Sequence, residues 1–300
     1  MNLLPENFAK AQQFIRENAR DLDKCLFEYE FGEATAVSVL NTLTAYQNED
    51  GGFGNAIEPD FRLPDSSPMA TSVGLQYCLA VGATADHPVV QKAIRYLLEN
   101  YDAEHEYWPS FVDTAVNDYP HAPWWHRETI VPPDEATWPN VSAELVGYIH
   151  YYRELVPADF YEQIIARAQR NLASTDTLAW FYDGLCWERT ANLVEEPFKS
   201  QIRLKITKTY DAMRPLTEEK LRELPVFAIA SSPESCFAQT FSRETAVLLQ
   251  ESITQQAEEG AWWPGWAWGQ YEETWPVAQR EWAGKLTLEA LHTYKNFLLL

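Results

Sequence analysis

Basic residues are scarce in this chain: 23 Lys and Arg stand against 44 Asp and Glu, a formal net charge of −21 over 300 residues. Such a surface repels phosphodiester backbones and anionic headgroups, so nucleic acid and anionic membrane surfaces are excluded as partners. No apolar run approaches the roughly 20 residues that cross a bilayer, so no integral membrane insertion is expected. The opening MNLLPENFAKAQQFIREN lacks the basic-then-apolar order of an export signal, which leaves a cytoplasmic protein as the expectation. Cysteine is sparse: Cys25, Cys78, Cys186 and Cys236 stand far apart with no CxxC pair, as free thiols in a reducing compartment would. No Gly/Ser linker, charge block or low-complexity run divides the chain, so residues 1–300 read as one domain. Alternation of strand type is nearly absent.

Aromatic residues, by contrast, are abundant. Twelve Trp, 15 Tyr and 14 Phe call for a thick core or a cavity with flat walls. Helical periodicity predicts helices near 5–20, 33–47, 69–82, 87–101, 140–154, 158–173, 178–193, 196–213, 235–257 and 283–297, with shorter ones near 217–230. Pro88 after His87, and the Ser67-Pro68 pair, mark helix starts. Eleven or twelve helices make six helical hairpins, and an all-α chain of hairpins points to repeats.

One repeat is plain. Residues 47–53 read Gln-Asn-Glu-Asp-Gly-Gly-Phe and residues 256–262 read Gln-Ala-Glu-Glu-Gly-Ala-Trp. Both carry Gln, then an acid, a Gly and an aromatic at the same offsets, each at the end of a predicted helix. Each is followed by a loop and a helix of one pattern, Thr71-Ser-Val-Gly-Leu75 or Thr287-Leu-Glu-Ala-Leu291. Partial relatives occur at Tyr107-Trp108-Pro109, before Ala143-Glu-Leu-Val-Gly147, and around Ala179-Trp180. The Gly stops a helix in the left-handed conformation, the aromatic folds back, and the Gln amide satisfies loop backbone groups. Ala70, Ser72 and Gly74 on the next helix permit close packing.

Gln-x-x-x-Gly-x-aromatic resembles the second half of the repeat that marks squalene cyclases and protein prenyltransferase β subunits. The blocks at 50–75 (Asp-Gly-Gly-Phe-Gly, Glu-Pro-Asp) and 262–291 (Trp-Pro, Glu-Trp, Thr-Leu-x-Ala-Leu) are similar to a bacterial prenyltransferase-like branch of that superfamily. The resemblance implies an (α/α)6-type toroid, a double-layered barrel of helical hairpins in the terpenoid cyclase superfamily. The Asp-X-Asp-Asp motif of the cyclases is absent, Asp21-x-Asp23 being the nearest match. The late zinc ligands of the prenyltransferases are absent too, since Gly284 to Tyr294 offers only His292.

In the hairpin order, the long loops 48–68, 102–139 and 258–282 would gather on one rim, where the inner helices also begin. Loops of this length in a compact domain are functional or disordered, and these have no disorder-type composition. The first loop holds Glu58, Asp60, Arg62 and Asp65. A guanidinium pairing with Asp60 or Asp65 leaves Glu58 as a candidate acid or base, with Asp60 as a second catalytic candidate. The second holds His121, Trp124, Trp125 and His126, whose faces suit a ligand. A metal would need three convergent groups, such as His121, His126 and Glu128, at a spacing that matches no known zinc pattern, so neither metal nor cofactor is assigned. The third holds Trp266 and Trp268.

The functional expectation is an isoprenoid-related enzyme or binder that takes a small apolar or isoprenoid-like molecule at the barrel mouth. Two alternatives stand beside it. Paired carboxylates and a Trp-rich rim also suit a carbohydrate-active toroid. A non-catalytic binding toroid would bury the same aromatics against a protein partner.

Overall fold

The computed structural model describes residues 2–300. Its helices, in chain order, are α1 (Pro5–Asn18), α2 (Asp21–Phe31), α3 (Ala36–Leu43), α4 (Pro68–Ala80), α5 (Pro88–Glu99), α6 (Pro139–Tyr151) and α7 (Ala158–Ser174). They continue with α8 (Phe181–Ala191), α9 (Phe198–Ala212), α10 (Glu218–Arg222), α11 (Val226–Ile229), α12 (Cys236–Thr240), α13 (Ser242–Thr254) and α14 (Trp275–Asn296). The described residues form no strand, only four isolated bridges, so the chain is all-α. No described helix is long and apolar enough to cross a membrane.

The helices depart from the predicted ones at specific places. The periodic reading omits α2, which follows α1 after only Ala19 and Arg20. The stretch 33–47 is a short helix with a 3-10 turn, Thr44–Tyr46, at its end. The stretch 235–257 breaks at Phe241 into α12 and α13. Helix α14 starts at Trp275, where Pro276 fills a first-turn position whose N–H has no intrahelical partner.

Two compact units make up the chain: Thr35–Lys208, and Met1–Ala34 with Thr209–Leu300. In the first, helices of two kinds alternate. Helix α5 buries Val89, Val90, Ala93, Ile94, Tyr96 and Leu97 on one side and exposes the other. Helices α4, α6 and α8 are buried almost all round, as interior helices are. Ser67 caps α4 by accepting from Ala70 N at 3.0 Å, and Pro68 begins its first turn. The second unit packs α1, α2 and α11 against the long α14. There Leu3 meets Leu299, Leu3 N donating to Leu299 O at 2.8 Å.

The repeat is a physical joint between a helix end and the interior helix that follows. Gln47 Nε2 donates to Gly51 O and to Val89 O, in the first turn of α5, both at 2.9 Å. Gln256 Nε2 donates to Gly260 O and to Asn7 O, in the first turn of α1, also both at 2.9 Å. Gly51 (φ 94°) and Gly260 (φ 101°) turn the chain in the left-handed region. A Cβ on Gly51 would lie 2.5 Å from Lys92 O, and one on Gly260 2.4 Å from Lys10 O. The aromatic N–H then meets a hydroxyl of the interior helix: Phe53 N donates to Thr71 Oγ1 and Trp262 N to Thr287 Oγ1, each at 3.0 Å.

Residues 101–108 form a third joint in other letters. Asp102 and Tyr107 make the bridge, Glu106 takes the left-handed turn at φ 55°, and Trp108 N donates to Ser142 Oγ at 3.0 Å. Tyr101 stands where Gln stands elsewhere and packs edge-on against Trp108 and Phe160, in the first turn of α7. The two indoles also reach back to their preceding helices, Trp108 Nε1 to Leu97 O and Trp262 Nε1 to Ser252 O, both at 2.7 Å. Each buried N–H left unpaired would cost about 1–3 kcal/mol, so these joints hold hairpins in register. Trp180 forms no such joint. It is 55% exposed at the start of α8, its N–H held by Asp183.

Candidate functional site

The first two long loops do come together. Phe61 and His121 pair as an antiparallel bridge, with Arg62 N donating to Pro120 O at 2.8 Å and Ala122 N to Asp60 O at 2.7 Å. Beneath the bridge, Phe61, Phe111 and Trp125 pack edge to face, with centroids 4.9 to 5.6 Å apart. This cluster explains why the second loop needs its aromatics: they are the core of a structure with no helix long enough to make one.

The acidic candidates are built into that structure. Glu58 and Asp60 are buried, and neither they nor Arg62 lacks a partner. Asp65 is exposed. His121 is buried and stacks on the exposed His126, with centroids 5.4 Å apart. Tyr119 O, an acceptor, lies 2.6 Å from His121 Nδ1, which therefore carries the hydrogen. His121 Nε2 then accepts from His126 Nδ1 at 3.2 Å. Trp124 is exposed. In the other unit, Trp268 is buried against Trp275, and the half-buried Trp266 packs edge-on against Trp282. No group of three or more His, Cys, Asp or Glu side chains among the described residues is placed to hold a metal ion.

A second constellation lies on the interior helices. Glu144, on α6, keeps 1% of its side chain accessible. It accepts from Gln76 Nε2 of α4 at 2.8 Å, from Tyr148 OH one turn on at 2.5 Å, and from Arg189 Nη1 of α8 at 2.7 Å. Cys186 Sγ lies 4.0 Å from the same carboxylate. Three helices therefore converge on one buried charge. Burial first, and the carboxylate next, hold Tyr148 and Cys186 well above their usual ranges, so both remain protonated donors. Burial works against the charge on Arg189, but Glu144, Tyr148 and Cys186 outweigh it and raise the guanidinium above its usual range.

Arg189 differs from its partners in one respect: 41% of its side chain is accessible. Only Nη1 is committed, which leaves its other donors open to a ligand. A guanidinium held by a buried carboxylate is oriented before any ligand arrives, which is how an anion-binding arginine avoids the entropy cost of ordering. Nothing in the helical periodicity marks this group. The available signal was Glu144 itself, a lone acid among Ala143, Leu145, Val146 and Gly147 on a helix buried almost all round.

Against known proteins, no protein family, no curated protein and no solved structure matches the chain.

Proposed function

We propose that the chain is an α/α toroid that takes a small apolar or isoprenoid-like molecule bearing an anionic head, as an enzyme or as a binder. The accessible, pre-oriented guanidinium of Arg189 among buried interior helices carries this reading, because it supplies a fixed contact for the anion. The order of the joints supports the toroid. The Gln47 joint engages the first turn of α5, the Tyr101 joint that of α7, and the Gln256 joint that of α1. The first two joints thus each clip the next helix but one, as a series of stacked hairpins requires. The carbohydrate reading has less behind it, since Glu58 and Asp60 are buried within the loop rather than facing outward.

Thermal unfolding with farnesyl diphosphate, farnesol or maltotriose tests the proposal. A ligand at a hundred times its Kd stabilises by about 2.7 kcal/mol. Stabilisation by farnesyl diphosphate that is lost in R189M, with a weaker shift for farnesol, is the expected result. Stabilisation by maltotriose alone would overturn it, as would an R189M variant that responds like the wild type.

A further inference from the structure

The second loop encloses a half-open cleft of about 520 Å³, within the roughly 300–1,000 Å³ usual for small-molecule sites. Its walls include Phe111, Ile130, Val131 and Pro132, and its polar lining includes Ser110, Arg127 and one carboxylate, Asp134, which is turned to Ala136 N and to the N–H and hydroxyl of Thr137. Neither the interior-helix constellation nor the histidine pair lines it.

Arg127 is the unusual element. Its Nη1 donates to Trp124 O at 2.8 Å and His126 O at 2.9 Å, and its backbone is clamped by the Asn117 side chain. The guanidinium lies over the rings of Trp125 and Phe111, 5.6 and 5.8 Å from their centroids. Its position is therefore fixed, yet no carboxylate among the described residues pairs with it. Nearby arginines are treated differently: Arg167 has Glu135, and Arg170 has Glu106. In a chain with 44 acidic residues, one half-buried arginine has been left without any. Burial with no compensating charge pulls it below its usual range, a standing cost that an incoming anion would relieve.

The geometry also selects the anion. With Nη1 turned to two carbonyls, Nε and Nη2 remain, the parallel pair of N–H groups on one edge of the guanidinium. That edge matches the two oxygens of a carboxylate. We infer that this cleft is a binding site for a small organic carboxylate, its head paired with the Nε–Nη2 edge of Arg127 and its apolar body against Phe111, Ile130, Val131 and Pro132. A dianionic phosphate would find a single cation there. The inference does not rest on the function proposed for Arg189.

Isothermal titration of the full chain with 3-phenylpropionate tests it, with 3-phenylpropanamide and benzylphosphonate as controls. The acid should bind saturably and the neutral amide roughly ten- to a hundredfold more weakly, the scale of a charge-assisted hydrogen-bonded pair. R127M should lose binding, and R95M, at an exposed position of α5, should retain it. Because R127M also releases two loop carbonyls, V131W provides a second check. It fills the cleft from a position that is 69% exposed, and it too should abolish binding. Absence of saturable binding by the wild type would overturn the inference. So would equal binding of acid and amide, tighter binding of the phosphonate, or undiminished binding in folded R127M or V131W.

Discussion

Replacing Arg189 by Met should cost the fold more than replacing Glu144 by Gln, although the two side chains form one ion pair. The asymmetry follows from accessibility: 1% for the Glu144 side chain and 41% for that of Arg189. In R189M the carboxylate stays sealed in, with only Gln76, Tyr148 and the distant Cys186 thiol beside it. In E144Q the guanidinium can turn its charge toward water. A buried charge stripped of its partner costs about 3–5 kcal/mol, and R189M should fall in that range. E144Q, which loses the charge assistance of one bond, should cost about 1–2 kcal/mol. With roughly 2–4 °C of Tm per kcal/mol in domains of this size, the variants should differ by several degrees. Urea unfolding followed by far-UV circular dichroism at pH 7.5 and pH 5 separates them further. The uncompensated carboxylate of R189M takes up a proton more readily folded than unfolded, so its deficit against the wild type should shrink as the pH falls. The E144Q deficit should stay level. Equal deficits in the two variants, or an R189M deficit that ignores pH, would refute the reasoning.

The glycines of the joints offer a second test. G51A and G260A should each lose about 2–4 kcal/mol, combining left-handed strain with a Cβ placed against backbone. G82A has the strain (φ 65°) but open space around it, and should lose only about 1 kcal/mol; comparable losses at all three would count against the joints. A third test uses Asp183, which burial pushes up to about 6 despite the N–H it receives from Trp180. Its folded pKa lies above the unfolded value of about 3.9, so the wild type loses stability as the pH rises from about 4 to about 6. D183N keeps an oxygen for Trp180 N–H and should therefore be about 1–3 kcal/mol more stable than the wild type at pH 7.5, with no advantage at pH 4. A gain that is the same at both values would place its cause elsewhere.

Some features of this molecule are legible in its sequence because only a few residue types can fill the positions. The joints at Gln47 and Gln256 are readable since a left-handed turn against a backbone carbonyl admits glycine alone. The joint at Tyr101 is half hidden, because Glu106 takes the left-handed turn in place of a glycine and a ring replaces the amide. Helix α2 has no punctuation before it: Ala19 and Arg20 look like the end of α1, and only the extended backbone there separates the two. The long loops were recognisable by length and aromatic content, but not the division of labour within them, where Phe61 and Phe111 matter as much as Trp125. The Glu144 constellation was out of reach for a different reason. Its partners lie 68 and 45 residues away on helices whose facing is set by packing, and no local pattern encodes that meeting.

The bond between Leu3 and Leu299 has a consequence for how this chain could be rewired. A linker of a few residues can join two residues that lie within one peptide hydrogen bond of each other, as Leu3 and Leu299 do, without disturbing either neighbour. New ends could then be opened in an exposed connection, such as residues 175–177 between α7 and α8. The joints at Gln47 and Tyr101 do not span that segment, and the Gln256–Asn7 contact, which now bridges distant parts of the sequence, would become a local one.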